Sequence, residues 1–411
     1  MHVSHKTFLI TVFVMILFGA GLGWPGENST PVLFVLDASG SMWGRVGSVE
    51  KIVVAKGTLI ELLGNLRPED RVGLIAYGHR REGDCDDIEL LAPIQAGRSA
   101  KLAEHVQSLN PKGKTPIVRA LRLAAEQVQA MSDEVAVVLL SDGRETCDEA
   151  PCEFVATLKK QGVRLRLYVI GFDVGEEEKA QLSCLAEAGG GAYYSAETAG
   201  ELQQALQQVT ERLEETVASE TGTLVVTAGG TDLYRVFDAS GAETIDSART
   251  NSAVELAAGF YKVKLGRSSQ LVRVRQGEET RLGAGTLVVS GLGKSLYSVF
   301  DVTGEEKVDF TRTNRPMDLL EGSYLVELEG TRRVVIVAAG KTTTVKAAGV
   351  VVNGDSGALY GVYDPTGETK YQFTRVGRPI EVLPGFYSIK VGKRWIRDIE
   401  LEDGEHLEFE E

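Results

Sequence analysis

The chain has 411 residues, 43% of them hydrophobic and 25% charged, the composition of ordinary globular domains at a length that exceeds one compact core. Its formal net charge of -14 is spread along the chain rather than gathered in a tail. That argues against nucleic acid and against charge-driven binding to an anionic membrane surface, and favours a cation or a basic partner.

The first 23 residues, "MHVSHKTFLITVFVMILFGAGLG", carry Lys6 and two histidines, then an apolar run from Phe8 to about Ala20, then small residues. This is the pattern of a secretory signal, and cleavage is expected around Gly21 to Gly23. The apolar stretch reaches about 17 residues, so retained it would serve as a short membrane anchor. The nearest cysteine is Cys85, which leaves no site for the lipid attachment of bacterial lipoproteins.

From residue 31 strand and helix patterns alternate. "PVLFVLD" is a continuous apolar run, as in a strand buried on both faces of a parallel sheet, and "SVEKIVVAKGTLIELLGNL" has helical spacing. "DRVGLIAYG" and "DIELLAPI" read as two further strands joined by the polar loop "HRREGDCDD". "SAKLAEHVQSL" and "IVRALRLAAEQVQAM" are helices, and "EVAVVLLSD" is a second central strand with its acidic residue at the carboxyl end. "CEFVATLKKQG", "VRLRLYVIGF", "EEEKAQLSCLAEA", "GAYYSA" and "AGELQQALQQVTERLEE" continue as helix, strand, helix, strand and helix. Such alternation gives an α/β doubly wound sheet, in which ligands gather at the carboxyl ends of the strands.

Four cysteines, Cys85, Cys147, Cys152 and Cys184, all lie in this half. In an exported chain an even count reads as disulfides, with three possible connectivities, and a Cys147–Cys152 bridge would pin the loop "DEAP". Zinc is disfavoured, since there is no Cys-x-x-Cys pair and no nearby histidine pair.

Asp37, Ser39 and Ser41 leave the first strand at spacing i, i+2, i+4, with Gly40 allowing a tight turn. Two distant segments end in the same chemistry: Thr115 in "KGKTP" opens a helix, and Asp142 in "LLSDG" ends a strand. Two carboxylates and three hydroxyls form a hard, all-oxygen set suited to Mg²⁺ or Mn²⁺. Such a shell leaves residual positive charge on the ion, which then seeks one more oxygen, as from a partner's carboxylate. His79 beside Asp84, Asp86 and Asp87 reads as a solvated loop rather than a second metal site.

"DASGS", "KTP" and "SDG", in that order on a βα alternation, resemble the metal-ion-dependent adhesion site (MIDAS) of von Willebrand factor type A (VWA) domains, over about residues 31–216. The resemblance implies that Ser39, Ser41 and Thr115 are hydroxyl ligands and that Asp37 and Asp142 bind directly or through water. "GHRREGDCDDIEL", "ETCDEAPC" and "CLAEAGGGAYYSA" further resemble exported bacterial members of the family.

From Gly222 helical spacing gives way to short alternating strands. "LYRVFDASGAETIDSARTN", "LYSVFDVTGEEKVDFTRTN" and "LYGVYDPTGETKYQFTRVG" begin at Leu233, Leu296 and Leu359, a period of 63 residues. Three small all-β sandwich-like modules are expected, at 222–284, 285–347 and 348–411, each with "D-x-[ST]-G" as a turn between strands. The Pro/Gly-x-Tyr arrangement of "LPGFYSIKV" resembles PEGA-type and related carbohydrate-binding-like or carboxypeptidase-regulatory-like β modules. "SGLGKS" at 290–295 lacks the first glycine of a phosphate loop and reads as a hairpin tip.

These features predict an exported, periplasmic or envelope-bound protein that captures an acidic ligand residue through Mg²⁺, with the repeats as spacer or second binding surface. The alternative is an envelope scaffold in which the metal only stabilises loops. Catalysis with Asp37 as nucleophile is disfavoured, because the five-residue set offers no Lys or Arg partner to stabilise a developing charge and no histidine base.

Overall fold

A computed structural model describes residues 30–148, 150–213, 221–228, 231–354 and 357–411; the signal-like segment 1–23 lies outside them. Six strands form the first sheet: β1 (Val32–Asp37), β2 (Val72–Tyr77), β3 (Ile88–Gln95), β4 (Val135–Ser141), β5 (Leu165–Phe172) and β6 (Gly190–Ala196). Their order is β3-β2-β1-β4-β5-β6, with β3 antiparallel to β2 and the other pairs parallel.

The unbroken apolar runs arise because both faces are covered. Leu33 and Val35 point with Ile75, Val137 and Leu139 into one core, against α3 (Ile117–Gln129), α4 (Pro151–Lys160) and α5 (Glu176–Ala188). Phe34 and Leu36 point with Leu74, Val138 and Leu140 into the other, against α1 (Lys51–Gly64), α2 (Ser99–Ser108) and α6 (Ala199–Leu213). The chain leaves β1 toward β2 and β3, then crosses to β4 on the other side of β1. The strand order therefore reverses between β1 and β4, where a crevice opens at the carboxyl ends.

Two disulfides close this half: Cys85–Cys147, with Cα atoms 5.7 Å apart, and Cys152–Cys184, at 5.9 Å. The Cys147–Cys152 bridge considered above is not formed. Instead the first bond joins the loop after β2 to the loop after β4, and the second joins α4 to α5. The loop at 79–87 is not simply solvated either. Asp87 is fully buried and accepts from the Arg80 and Arg81 amides and the Arg80 side chain, while His79 pairs with Glu89 at 3.1 Å.

The repeats owe their sequence signature to two tyrosines per copy. Tyr234, Tyr297 and Tyr360 are buried, and each donates its hydroxyl to carbonyls of its own module, at Ser252, Arg315 and Arg378. Tyr261, Tyr324 and Tyr387 each bond the carbonyl four residues earlier, at Ala257, Leu320 and Leu383. The aromatic bodies fill the core while the hydroxyls satisfy bends in the chain. Asp238, Asp301 and Asp364 organise the recurrent turn, whose glycines Gly241, Gly304 and Gly367 have φ of 79°, 75° and 81°. The second Asp-Ala-Ser-Gly is thus a hairpin turn. One strand, Glu279–Ser290, pairs with Thr221–Thr227 through its first half and with Met317–Leu320 and Thr342–Lys346 through its second. The boundary expected at 284/285 falls inside it.

The modules do not lead away from the α/β domain as a spacer; they fold back on helix α1. Phe260 and Leu271 of the first module and Leu325 and Val334 of the second join the core that contains Ile52, Leu59 and Leu63. Gly57 permits the approach, since a Cβ there would lie 3.0 Å from the Val302 carbonyl and 3.4 Å from Val334 Cγ2. Asn65, at the end of α1, bonds the backbone of Leu271 and Arg273. Arg332 reaches the Ser48 carbonyl at 2.6 Å, and Tyr371 of the third module reaches Glu50 at 3.4 Å.

Candidate metal centre

Three loops interlock at the carboxyl edge. The Gly40 amide bonds the Gly113 carbonyl at 3.0 Å, the Gly113 amide bonds Gly78 at 2.8 Å, and Ala38 bonds Tyr77 at 2.9 Å. Gly78 is required here: its φ is 70°, and a Cβ would lie 2.6 Å from the Lys114 carbonyl and 2.9 Å from Ser39 Cα. The loop after β4 joins them through Thr146, whose hydroxyl accepts from the Thr115 amide at 2.9 Å and whose amide bonds the Thr115 carbonyl at 3.1 Å.

These contacts bring together all five oxygen-bearing residues expected from the sequence. Asp37 is fully buried and accepts from the Ser39 amide at 2.8 Å and from the Ser141 hydroxyl at 2.6 Å. Ser41 donates to Asp142 Oδ1 at 2.6 Å, so the proton between Ser39 and Ser41, 2.9 Å apart, comes from Ser39. Thr115 lies against the Asp142 loop, with its hydroxyl 3.9 Å from the place a Cβ of Gly143 would occupy. Four of the five are buried, and Ser41 is exposed, so the set opens to solvent on that side.

Burial raises the pKa of Asp37. It also pushes Asp142 up to about 6, helped by the charge on Asp37 and opposed by Ser41 and Lys51. Two carboxylates desolvated together stay ionised most readily beside a cation. One cationic group already stands there: Lys51 Nζ lies 3.3 Å from Asp142 Oδ2 and 2.9 Å from Asp173 Oδ2. The donor set, hard oxygens gathered around a buried anionic pair with an ammonium as stand-in, fits a divalent metal of the Mg²⁺ or Mn²⁺ type.

Sequence reasoning missed five residues at this site. Lys51 lies unremarked within the segment of helical spacing that begins at Ser48, yet it breaks the expectation that no basic side chain adjoins the carboxylates. Asp173 follows β5 with φ of 52°, a backbone state that few residues other than glycine adopt. Ser141 links Asp37 to the Tyr77 hydroxyl, which donates to it at 3.2 Å. Glu145 accepts from the Val118 amide at the start of α3 and from the Cys147 amide, both at 2.6 Å, and so fixes the Asp142 loop to that helix. For Asp173 and Glu145 the available signal was an acidic residue just beyond a strand end.

The model of the von Willebrand factor type A domain family matches residues 32–209. The uncharacterized protein YwmC of Bacillus subtilis (strain 168) is 33% identical over 221 residues, covering 49% of this chain and 96% of that protein. Uncharacterized protein YwmD of the same organism is 28% identical over 199 residues, covering 46% of this chain and 88% of that protein. Among solved structures, the pilus adhesin SpaC from Lactobacillus rhamnosus GG aligns over 89% of this chain and 64% of its own, at 11% identity and a TM-score of 0.40.

Proposed function

The chain belongs to the von Willebrand factor type A domain family through residues 32–209, and from that premise we propose that it is an exported, metal-dependent protein-binding protein. One observation carries this reading: Asp37, Ser39, Ser41, Thr115 and Asp142 meet at the point where the strand order reverses, with Ser41 exposed at the edge of the set. A bound Mg²⁺ or Mn²⁺ supplies a Lewis-acidic centre for one further oxygen. Around it Ser39, Ser41 and Thr115 offer neutral oxygens, and Asp37 and Asp142 offer charge. Ser141 and the Ser39 amide hold Asp37 in place, and the Cys85–Cys147 bond holds the rim loops together. The natural occupant of the open side is a carboxylate from a partner protein. Two disulfides favour an oxidising, exported location.

Binding rather than catalysis is supported by the state of Lys51, whose ammonium is engaged by two carboxylates and by the Asp173 carbonyl at 3.1 Å. It acts as a counter-ion, not as a free acid. The scaffold alternative draws on the burial of Asp37, which would make a metal there a staple for loops. The test is recovery of envelope proteins on the immobilised chain with Mg²⁺, with chelator, and with Asp142→Ala. Capture is expected only in the first case, and capture unchanged in all three would sink the metal bridge. Asp37→Ala separates the alternatives: lost capture with an intact fold supports binding, and unfolding supports the scaffold.

A further inference from the structure

Lys51 occupies an unfavourable place. It is the first residue of α1, where the positive end of the helix dipole disfavours a cation; no residue of that first turn is acidic, and the carboxylate of the capping Glu50 is taken by Arg45 at 2.7 Å. Its side chain is nonetheless only 11% exposed. The Lys51 amide bonds the Gly44 carbonyl at 2.8 Å, and the stem lies along Gly44, where an added Cβ would stand 3.5 Å from Lys51 Cε. The ammonium ends between Asp142, whose side chain is fully buried, and Asp173. Asp173 is itself held in the left-handed backbone region, which is disfavoured for a residue other than glycine. Two locally disfavoured residues thus pair with each other, and one of them, Lys51, reaches a carboxylate of the candidate metal set.

We propose that Lys51 is a tethered cation that sets the charge of this centre: it weakens divalent metal binding and keeps the loaded site net positive, so that the site attracts a carboxylate. The proposal rests on the metal-bridge reading above. Asp37 and Asp142 together carry two negative charges, which a divalent ion would cancel. Lys51 restores one positive charge to the loaded site, and an incoming carboxylate returns it to neutrality. Asp173 holds the ammonium in place, but its own side chain is 44% exposed, so solvent screens its charge more than that of Asp142. Charge of this kind at a desolvated site acts across a few ångströms with little screening.

The test uses the full chain and Mn²⁺, read by water-proton relaxation, with acetate as the carboxylate probe. Lys51→Met is expected to tighten Mn²⁺ binding by about tenfold and to weaken the acetate effect on the loaded protein by a similar factor. Lys51→Arg should keep both values near wild type. Asp173→Asn, which suits the left-handed backbone, should shift Mn²⁺ binding the other way, by a few-fold, because it leaves the Lys51 charge to Asp142 alone. A merely structural lysine predicts weaker Mn²⁺ binding in Lys51→Met and no opposition between the two variants, and either result overturns the proposal. If Lys51→Met fails to fold, Lys51→Gln decides: tighter Mn²⁺ binding than wild type supports the proposal, and weaker binding overturns it. Absence of Mn²⁺ binding by the wild-type chain would remove the metal reading itself, and that outcome is distinct from the rest.

Discussion

Glu61 lies on α1, buried where the helix meets the β modules, and Gln203 of α6 donates to its Oε2 at 2.6 Å. Burial pushes its pKa from 4.5 up to about 7, with the charge of Asp301 adding to the rise and Lys262 opposing it. The folded state therefore binds this proton more tightly than the unfolded chain does. Stability from the protonated form is complete below about pH 4.5 and is lost as the pH rises through about 7. The displacement is worth about 3 kcal/mol. Glu61→Gln keeps an acceptor for Gln203 and cannot ionise. Relative to wild type it should be neutral near pH 4.5 and more stable by up to about 3 kcal/mol at pH 8. Asp301, whose pKa is also raised by burial, titrates in both proteins, so only its repulsion of ionised Glu61 enters the difference. Urea unfolding at a series of pH values measures the gap. A gap that does not change with pH would refute the reasoning, because it would place Glu61 in an environment that leaves its proton affinity unaltered.

The disulfides offer a second measurement. Loop closure over 62 and 32 residues gives about 4.3 kcal/mol for Cys85–Cys147 and about 3.7 kcal/mol for Cys152–Cys184 as upper values. Paired serine substitutions at 85 and 147 should also weaken Mn²⁺ binding, whereas those at 152 and 184 should lower the unfolding midpoint alone; equal effects on the metal would contradict the placement of the first bond at the rim. Gly57→Leu should gain about 1 kcal/mol in helix propensity and lose more to overpacking, about 1–3 kcal/mol, against Val302 and Val334. Small-angle scattering should then show a larger radius, and an unchanged profile would mean that the modules are not held by that contact.

The alternation of the first half was legible because a strand covered on both faces must be apolar throughout, and a helix covering it needs only one stripe. The five oxygen donors were legible because each lies at a strand end or helix start, where the fold is known once the alternation is. Lys51 was not, since a lysine near the start of a helical segment gives no sign of its partner, and only the folded chain shows what it faces. Helix α1 held a clue that periodicity alone did not exploit: "KIVVAKGTLIELLG" is apolar nearly all round, and a helix without a polar face must be covered on both sides. The second cover is the β modules, and Gly57, costly in a helix interior, marks where they touch. The cysteine pairing depended on which loops meet at the rim, which spacing along the chain does not encode.

The strand Glu279–Ser290 has a mechanical consequence. A continuous strand bonded along both halves leaves no hinge between the first two β modules, so they turn together as a beam rather than as beads. The beam lies across α1, and Arg332 and Tyr371 grip the segment at 48–50 that leads from the Asp37 loop into that helix. A displacement of the β modules would therefore be passed to the segment beside the oxygen cluster through those two side chains.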